Sequence, residues 1–121
     1  MFRKQKQKNR RKVGEVRMKK IGHLYHVTDA MNVEKILAEG LVRGGGVRKA
    51  FAVYLSKSPL SWWKPGMVIL RINVKDLIGE WTDFARESDE LLYWGDIESS
   101  RIKVYEPTAI EHLKMIDMMR L

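Results

Sequence analysis

Cysteine is absent from all 121 residues of the chain. Without thiols the protein forms no disulfides and no thiolate metal sites, and it has no cysteine nucleophile. Histidine occurs only three times, at positions 23, 26 and 112, and no pair of histidines has the HExxH spacing of a zinc enzyme. The sequence therefore predicts a protein that uses no metal.

Long apolar runs are also missing, although hydrophobic residues make up 45% of the chain. No run approaches the length that a membrane-spanning helix needs, and the basic N-terminus has no apolar segment behind it of the kind found in secretory signals. The phosphate-binding motifs G-x-x-x-x-G-K-[ST] and G-x-G-x-x-G are absent as well, and so is the G-x-S-x-G of serine hydrolases. We expect a cytoplasmic protein with no membrane partner.

The formal net charge of +8 is concentrated at one end of the chain. Residues 1–20 hold ten basic side chains and one acidic side chain, a net charge of +9, whereas the other 101 residues hold 13 basic and 14 acidic side chains, a net charge of −1. Like charges in such a block repel one another, so the sequence predicts a separate, mobile arm over 1–20 and a nearly neutral domain over 21–121.

This basic arm is a candidate for binding DNA or RNA, because cations that neutralise phosphates release counterions and give sequence-independent affinity. A Gly-rich basic loop over 43–49 could add to the same surface. The candidate nucleic-acid-binding residues are Arg3, Lys4, Arg10, Arg11, Lys12, Arg48 and Lys49. Two alternatives remain open: the arm only keeps the protein soluble, or it precedes a true start at Met18.

Hydrophobic periodicity predicts an α+β domain with a split or curved sheet, antiparallel or mixed, and a few short helices. Strands are expected over 23–28, 50–56, 67–74, 91–94 and 103–105, and helices follow Asp29 and Pro107. Gly40 is expected to end the first helix, and Pro59 to open a short helix that carries Trp62 and Trp63. The segment 81–87 is expected to be a short helix.

Three sequence blocks occur in a telling order: LYHVTDAMNVEKILAEGL over 24–41, VYLSKSP over 53–59, and ELLYWGDI over 90–97. Together they resemble the ADP-ribosyltransferase superfamily, in the branch with a His-Tyr-Glu triad. In that branch a His ends the first strand, a helix with Asn near its start and a Gly-Leu stop follow, an aromatic residue ends the second strand, and a Glu opens a late strand. The matching residues here are His26, Asn32, Gly40-Leu41, Tyr54 and Glu90.

The resemblance implies an ADP-ribosyltransferase-like fold, NAD as substrate, and His26, Tyr54 and Glu90 as catalytic residues. Glu90 would stabilise the positive charge that develops on the ribose, as carboxylates do in glycoside hydrolysis. His26 and Thr28 would hold hydroxyls of the dinucleotide, and Tyr54 would stack on nicotinamide. The residues implied to bind NAD are His26, Val27, Thr28, Asn32, Arg43, Tyr54 and Ser56.

Departures from the family pattern keep alternatives open. Val27 stands where most members have Gly, but a bulky residue at this step also occurs in the DNA-targeting DarT toxins. Ser88 stands where toxins with an E-x-E or Q-x-E motif have an acid or amide. RNA 2′-phosphotransferases share the fold, but Tyr54 argues against that activity. Taken singly, His26 and Tyr54 could be ordinary strand residues and Glu90 part of a solvated acidic run. A non-catalytic nucleic-acid-binding module is the further alternative.

Deleting residues 1–20 tests the proposed role of the basic arm. If the arm binds phosphates, the shortened chain loses most of its affinity for DNA and RNA, and the dependence of log Kd on log salt concentration becomes much shallower. Fluorescence anisotropy with labelled oligonucleotides at several salt concentrations measures both quantities. Unchanged affinity after the deletion would show that the arm does not bind nucleic acid.

Overall fold

The computed structural model of the chain describes residues 21–42, 52–83 and 89–120. Their elements confirm the α+β class. The strands are β1 His23–Asp29, β2 Val53–Ser56, β3 Met67–Asn73, β4 Trp81–Asp83, β5 Glu90–Tyr93 and β6 Ile102–Val104. The helices are α1 Val33–Glu39 and α2 Ala109–Met119, and single 3-10 turns lie at Ala30–Asn32 and Ser99–Arg101.

The six strands form one sheet in the order β4-β5-β2-β1-β3-β6. Every neighbouring pair is antiparallel, so the alternative of a mixed sheet is wrong for the described strands. The pairing is very uneven around β1: seven residues of β1 are in register with β3, but only Tyr25 is in register with a residue of β2, which is Ser56. The sheet is therefore joined most weakly between β1 and β2, with three strands on each side, and we call this junction the split.

The central position of β1 forces the chain to cross the sheet. Both β2 and β3 run antiparallel to β1, so they are parallel to each other on its two sides. Ser56 at the end of β2 lies level with Tyr25, whereas Met67 at the start of β3 lies level with Asp29. The connection over 57–66 must therefore run back along β1, as every link between parallel strands does.

The hydrophobic core lies on one face of this sheet. Alternate residues of the strands point to that face, and the most deeply buried of them are Leu24, Leu55, Leu70 and Ile72. Hydrophobic spacing predicts that Val33, Ile36 and Leu37 share the buried face of α1; Val33 and Ile36 pack against this cluster, but Leu37 is exposed. Burial of these apolar side chains is the main source of stability for the fold.

Gly40 ends α1, as predicted, and its geometry shows why. Its φ is 85°, a conformation that side chains rarely adopt, and its N–H donates to the Ile36 carbonyl at 2.7 Å. A Cβ at this position would lie 2.3 Å from the Ile97 carbonyl oxygen. The next residue, Leu41, exchanges two backbone hydrogen bonds of 2.9 Å with Ile97, so the helix end is tied to the segment after β5.

Two further glycines, Gly79 and Gly95, make room for an aromatic side chain. Tyr93 is buried, its ring centroid lies 4.5 Å from that of Trp81, and its hydroxyl donates to the Ile78 carbonyl at 3.0 Å. A Cβ on Gly79 would lie 2.4 Å from the Tyr93 ring, and a Cβ on Gly95 would lie 2.9 Å from it. The two glycines thus flank a ring that no larger residue could neighbour without a shift.

Two predicted helices are not found. Pro59 and the tryptophans lie in a series of turns, where Trp63 is buried and its indole N–H donates to the Met67 carbonyl at 2.9 Å. Trp81–Asp83 is a strand that pairs with β5, so the helix expected over 81–87 is wrong there, and its remaining residues lie outside the described ranges. At Trp81 the long-range pairing with β5 outweighs local helical preference, whereas at Trp63 the contact is local, with a residue four positions later.

Helix α2 is present over the predicted range and starts with a capping box. The Thr108 hydroxyl accepts from the Glu111 N–H, and the Glu111 carboxylate accepts from the Thr108 N–H. Four apolar residues that recur at helical spacing along this helix are exposed: Ile110, Leu113, Ile116 and Met119. In none of the segments 21–42, 52–83 and 89–120 is there a helix of the length and hydrophobicity that spanning a bilayer requires.

Replacing Gly79 with Ala tests the packing around Tyr93. The added methyl group would overlap the ring, so we expect the free energy of unfolding to fall by about 1–3 kcal/mol. Urea denaturation followed by circular dichroism measures the loss. Gly22→Ala is the matched control, because a Cβ at position 22 meets no atom within 4 Å. Equal stability of the two variants would contradict the close approach of Gly79 to Tyr93.

Candidate functional site

The three residues that the resemblance singled out lie on three neighbouring strands. His26 is on β1, Tyr54 on β2 and Glu90 at the first position of β5, and these strands are adjacent in the order β5-β2-β1. They come from positions 26, 54 and 90 of the sequence, so only the sheet topology brings them together. The split between β1 and β2 runs between His26 and the other two.

His26 bridges the split with its side chain. Its ring Nδ1 lies 2.9 Å from the Tyr54 carbonyl oxygen, and a carbonyl can only accept, so Nδ1 carries the proton. In the neutral ring Nε2 is then a hydrogen-bond acceptor. Burial lowers the pKa of His26, and the hydrogen bond to Tyr54 only partly offsets this effect. The fold thus favours the neutral form of His26 in one tautomer, with Nε2 as the acceptor nitrogen.

The side chains of Tyr54 and Glu90 point to the same face of the three strands β4, β5 and β2. Ser56 is in register with Glu90 and Tyr54 with Leu92, and directly paired residues of antiparallel strands point to the same face. Side chains alternate along each strand, so Tyr54, Ser56 and Glu90 all leave the sheet on that face. The structure therefore brings Tyr54 and Glu90 to one face, where Ser56 is paired with Glu90 and lies two residues from Tyr54.

His26 leaves its strand on the other side. Tyr25 is in register with Ser56 and belongs to the face of Glu90, so alternation along β1 sends the next residue, His26, to the opposite face. Its ring nevertheless contacts the backbone of Tyr54, because the ladder between the strands stops at Tyr25 and leaves a gap. His26 therefore lies where the ladder stops, on the face of the sheet opposite to Tyr54 and Glu90.

Ser56 has a structural role in this arrangement. It is 2% exposed, and its hydroxyl lies 2.9 Å from the Ser58 carbonyl and 3.4 Å from the Tyr25 carbonyl. Both carbonyls are acceptors, so the Ser56 hydroxyl joins β1 to the turn that follows β2. Because the Ser56 hydroxyl is buried and bonded to backbone carbonyls, it positions the strands and does not contact a ligand.

Asp89, next to Glu90, was not singled out from the sequence, where it belongs to an acidic run. Its Oδ2 accepts from the Ser58 N–H at 3.0 Å and also from the Ser61 hydroxyl, and its carbonyl accepts from the Lys57 N–H at 2.9 Å. These contacts fasten the turn after β2 to the start of β5 and so fix the position of Glu90. The only signal in the sequence is the run of hydroxyl residues at 56–61, which suits binding to a carboxylate.

Thr28 and Asn32 form a small cluster on the side of β1 that carries His26. Thr28 is buried, and its hydroxyl oxygen accepts from the Asn32 side-chain N–H at 3.3 Å. Neither Asp29 nor Asn32, the residues at the two helix N-termini, caps its helix with a side-chain hydrogen bond. Val27 is half-buried on the opposite side, in register with Ile69.

Several predicted binding residues lie outside the described ranges, and the structure says nothing about them. They are Arg43, Arg48 and Lys49 of the Gly-rich loop, and Arg3, Lys4, Arg10, Arg11 and Lys12 of the arm. Within residues 21–42, 52–83 and 89–120, no group of three or more His, Asp or Glu side chains is arranged to hold a metal ion.

Comparison with known proteins leaves the family open: the chain matches no family model, and no curated protein or solved structure was found to match it.

A His26→Asn variant tests the electrostatic state of His26. Because burial lowers the pKa in the folded state below the ordinary 6.5, the unfolded chain binds the proton first, and stability falls as pH decreases through 6.5. Urea unfolding at pH 7.5, 6.5 and 5.5 should give a decrease in the parent that is smaller in His26→Asn. His112→Asn, on exposed α2, should keep the parent's decrease. The same decrease in His26→Asn would contradict this description of His26.

Proposed function

We propose that this chain is an NAD-dependent mono-ADP-ribosyltransferase with an ADP-ribosyltransferase-like fold. The observation that carries the proposal is the gap where the ladder between β1 and β2 stops: the His26 ring bridges it to the Tyr54 backbone, and Tyr54 and Glu90 share the opposite face of the sheet. These are the three residue types that the resemblance implies, and a split sheet is the architecture that it implies. The dinucleotide would lie across this gap.

His26 suits the ribose of such a substrate. Its Nδ1 proton is donated to the Tyr54 carbonyl, so Nε2 can only accept, and a ribose hydroxyl can only satisfy it by donating. A charged imidazolium would donate at both nitrogens and would repel a developing ribosyl cation. The burial that lowers the pKa of His26 therefore keeps the ring in the form that the reaction requires.

Glu90 would supply the catalytic charge. In the transfer, the bond between ribose C1′ and the nicotinamide nitrogen breaks, and its electron pair leaves with nicotinamide. An acceptor heteroatom then bonds to C1′ and loses a proton. The Glu90 carboxylate would stabilise the positive charge on the ribose and can receive that proton. Asp89 holds Glu90 in place by fastening the start of β5 to the turn after β2, and Glu90 is also paired with Ser56 in the ladder.

Tyr54 lies two residues before Ser56, on the side of the sheet that carries Glu90. A half-buried aromatic ring at the edge of a gap offers a flat face to nicotinamide, which is a flat cationic ring in the substrate. Tyr54 would bind both the ring before transfer and the neutral product after it. Its removal is expected to raise KM for NAD more than it lowers kcat.

The acceptor is proposed to be nucleic acid or a protein bound to nucleic acid, because the net charge of +9 on residues 1–20 favours phosphate-rich partners. The same charge supports a second candidate, a non-catalytic nucleic-acid-binding module on this fold. A 2′-phosphotransferase acting on RNA ends is the third candidate, and it would also consume NAD.

A Glu90→Gln variant tests the enzyme proposal. Incubation of the full chain with radiolabelled NAD and separate DNA, RNA and protein acceptors should label one class. Loss of the carboxylate charge should slow that labelling about 100- to 1,000-fold, because the charge acts mainly in the transition state. Glu80→Gln removes an exposed carboxylate at the other end of the same half-sheet and should stay within about twofold of the parent.

The alternatives give different results in the same assay. Labelling by Glu90→Gln at the parental rate would show that Glu90 is not the catalytic carboxylate. If the parent binds oligonucleotides but never consumes NAD, the non-catalytic module is correct. Release of phosphate from a 2′-phosphorylated RNA, with NAD consumed, would identify the phosphotransferase.

A further inference from the structure

Strand pairing builds a single row of polar side chains across five strands. Glu90 is in register with Ser56, Ser56 with Tyr25, Tyr25 with Arg71, and Arg71 with Lys103. Directly paired residues point to one face, so all five leave the sheet on the same side. The row begins with the candidate catalytic carboxylate and ends with two cations on β3 and β6.

The cationic end of the row is exposed and lacks acidic partners. Arg71 and Lys103 are both exposed, and neither forms an ion pair with any carboxylate in the part of the chain that the structure describes. The polar contact of Arg71 is with His23, whose Nδ1 accepts from the guanidinium at 3.2 Å. Burial is the larger cause of the lowered pKa of His23, and the positive charge of Arg71 is the second. The imidazole is therefore a neutral acceptor that does not balance the charge of the guanidinium.

The pairing of Arg71 with Lys103 lowers the stability of the sheet. Two like charges directly opposite each other on antiparallel strands repel, and the sheet would be more stable with an acid at either position. Costs of this kind are expected where a ligand supplies the missing charge. Glu111 contacts Tyr105 of this region, but its carboxylate is already bound by the Tyr105 hydroxyl and the Thr108 N–H.

Aromatic rings accompany these cations. Tyr25 lies between Ser56 and Arg71 in the row, and its ring meets that of Tyr105 edge to face, with the centroids 5.1 Å apart. Both rings are half-buried, so part of each is open to solvent. A cationic surface with aromatic side chains is the combination that proteins use to bind single-stranded nucleic acid, where phosphates meet the charges and bases stack on the rings.

We propose that His23, Tyr25, Arg71, Lys103 and Tyr105 form a binding surface for the acceptor of the reaction, and that the acceptor is a single-stranded nucleic acid. This inference rests on the proposed function in one respect: the bound strand is the acceptor only if the chain transfers ADP-ribose. The strand would cross β6, β3 and β1 with its phosphates on Arg71 and Lys103, and would present a base or terminus at Glu90.

The spacing favours a nucleic-acid strand over the dinucleotide as the ligand of these cations. Neighbouring strands lie about 4.8 Å apart, so Arg71 stands roughly 14 Å along the row from Glu90, and Lys103 stands farther still. The phosphates of NAD are joined to the reacting ribose through a single CH₂ group and so stay close to Glu90. A polymer can reach both ends of the row.

The experiment compares full-length Arg71→Ser/Lys103→Ser with the parent and with Lys35→Ser/Lys64→Ser, which removes two exposed lysines elsewhere. Anisotropy with fluorescein-labelled 20-mers of single-stranded DNA and RNA gives Kd from 0.05 to 0.3 M salt. Two lost phosphate contacts should raise Kd about 25-fold at 0.1 M salt and reduce the log–log salt slope by about 1.4, since each contact on a single strand contributes about 0.7. The control should change Kd less than threefold.

Three further results separate the possibilities. Thermal unfolding should show Arg71→Ser/Lys103→Ser at least as stable as the parent, which excludes misfolding as the cause of weak binding. An equal loss of affinity in both double variants would overturn the proposal in favour of diffuse attraction. A raised KM for NAD with unchanged oligonucleotide binding would assign the cations to the dinucleotide instead. Because Kd is measured without NAD, a failure of the enzyme proposal leaves this test intact.

Discussion

The backbone groups at the gap between β1 and β2 constrain the whole arrangement. A central strand normally satisfies its N–H and C=O groups through ladders on both sides, and buried groups without partners are costly. Here β1 has a full ladder to β3 but a single registered pair with β2, so side chains take over. The His26 ring donates to the Tyr54 carbonyl, and the Ser56 hydroxyl lies within hydrogen-bond distance of the Tyr25 carbonyl. The split persists because these two side chains replace part of the missing ladder.

The sequence was most informative where signals are local. The strand around His26, the helix after it and the stop at Gly40 depend on neighbouring residues, and all three are present. The meeting of Tyr54 with Glu90 depends on β2 pairing with β5, and no local pattern specifies that register. The same limit explains why His26 was not expected on the opposite face. It also explains why Asp89 was seen only as part of an acidic run.

Two aromatic segments show how tertiary contacts override local preference. Trp81 was expected in a helix, but its strand is held by pairing with β5 and by contact with the Tyr93 ring. Trp63 was expected in a helix opened by Pro59, but its indole N–H finds a carbonyl at the start of β3. The partner of Trp81 is distant in sequence, whereas that of Trp63 is Met67, four residues later. In both segments the contacts of a large ring outweigh a few tenths of a kcal/mol of helix propensity.

The position of β1 also bears on how the chain acquires its structure during synthesis. β1 is the first described strand to leave the ribosome, yet its full partner β3 ends at Asn73, more than forty residues later. Until β3 emerges, β1 can pair only with four-residue β2, and through one registered pair. The side of β1 that will meet β3 is therefore an edge of unpaired backbone groups for this whole interval, which is when strands are most prone to join other chains. Cotranslational folding of this protein is thus governed by the arrival of β3.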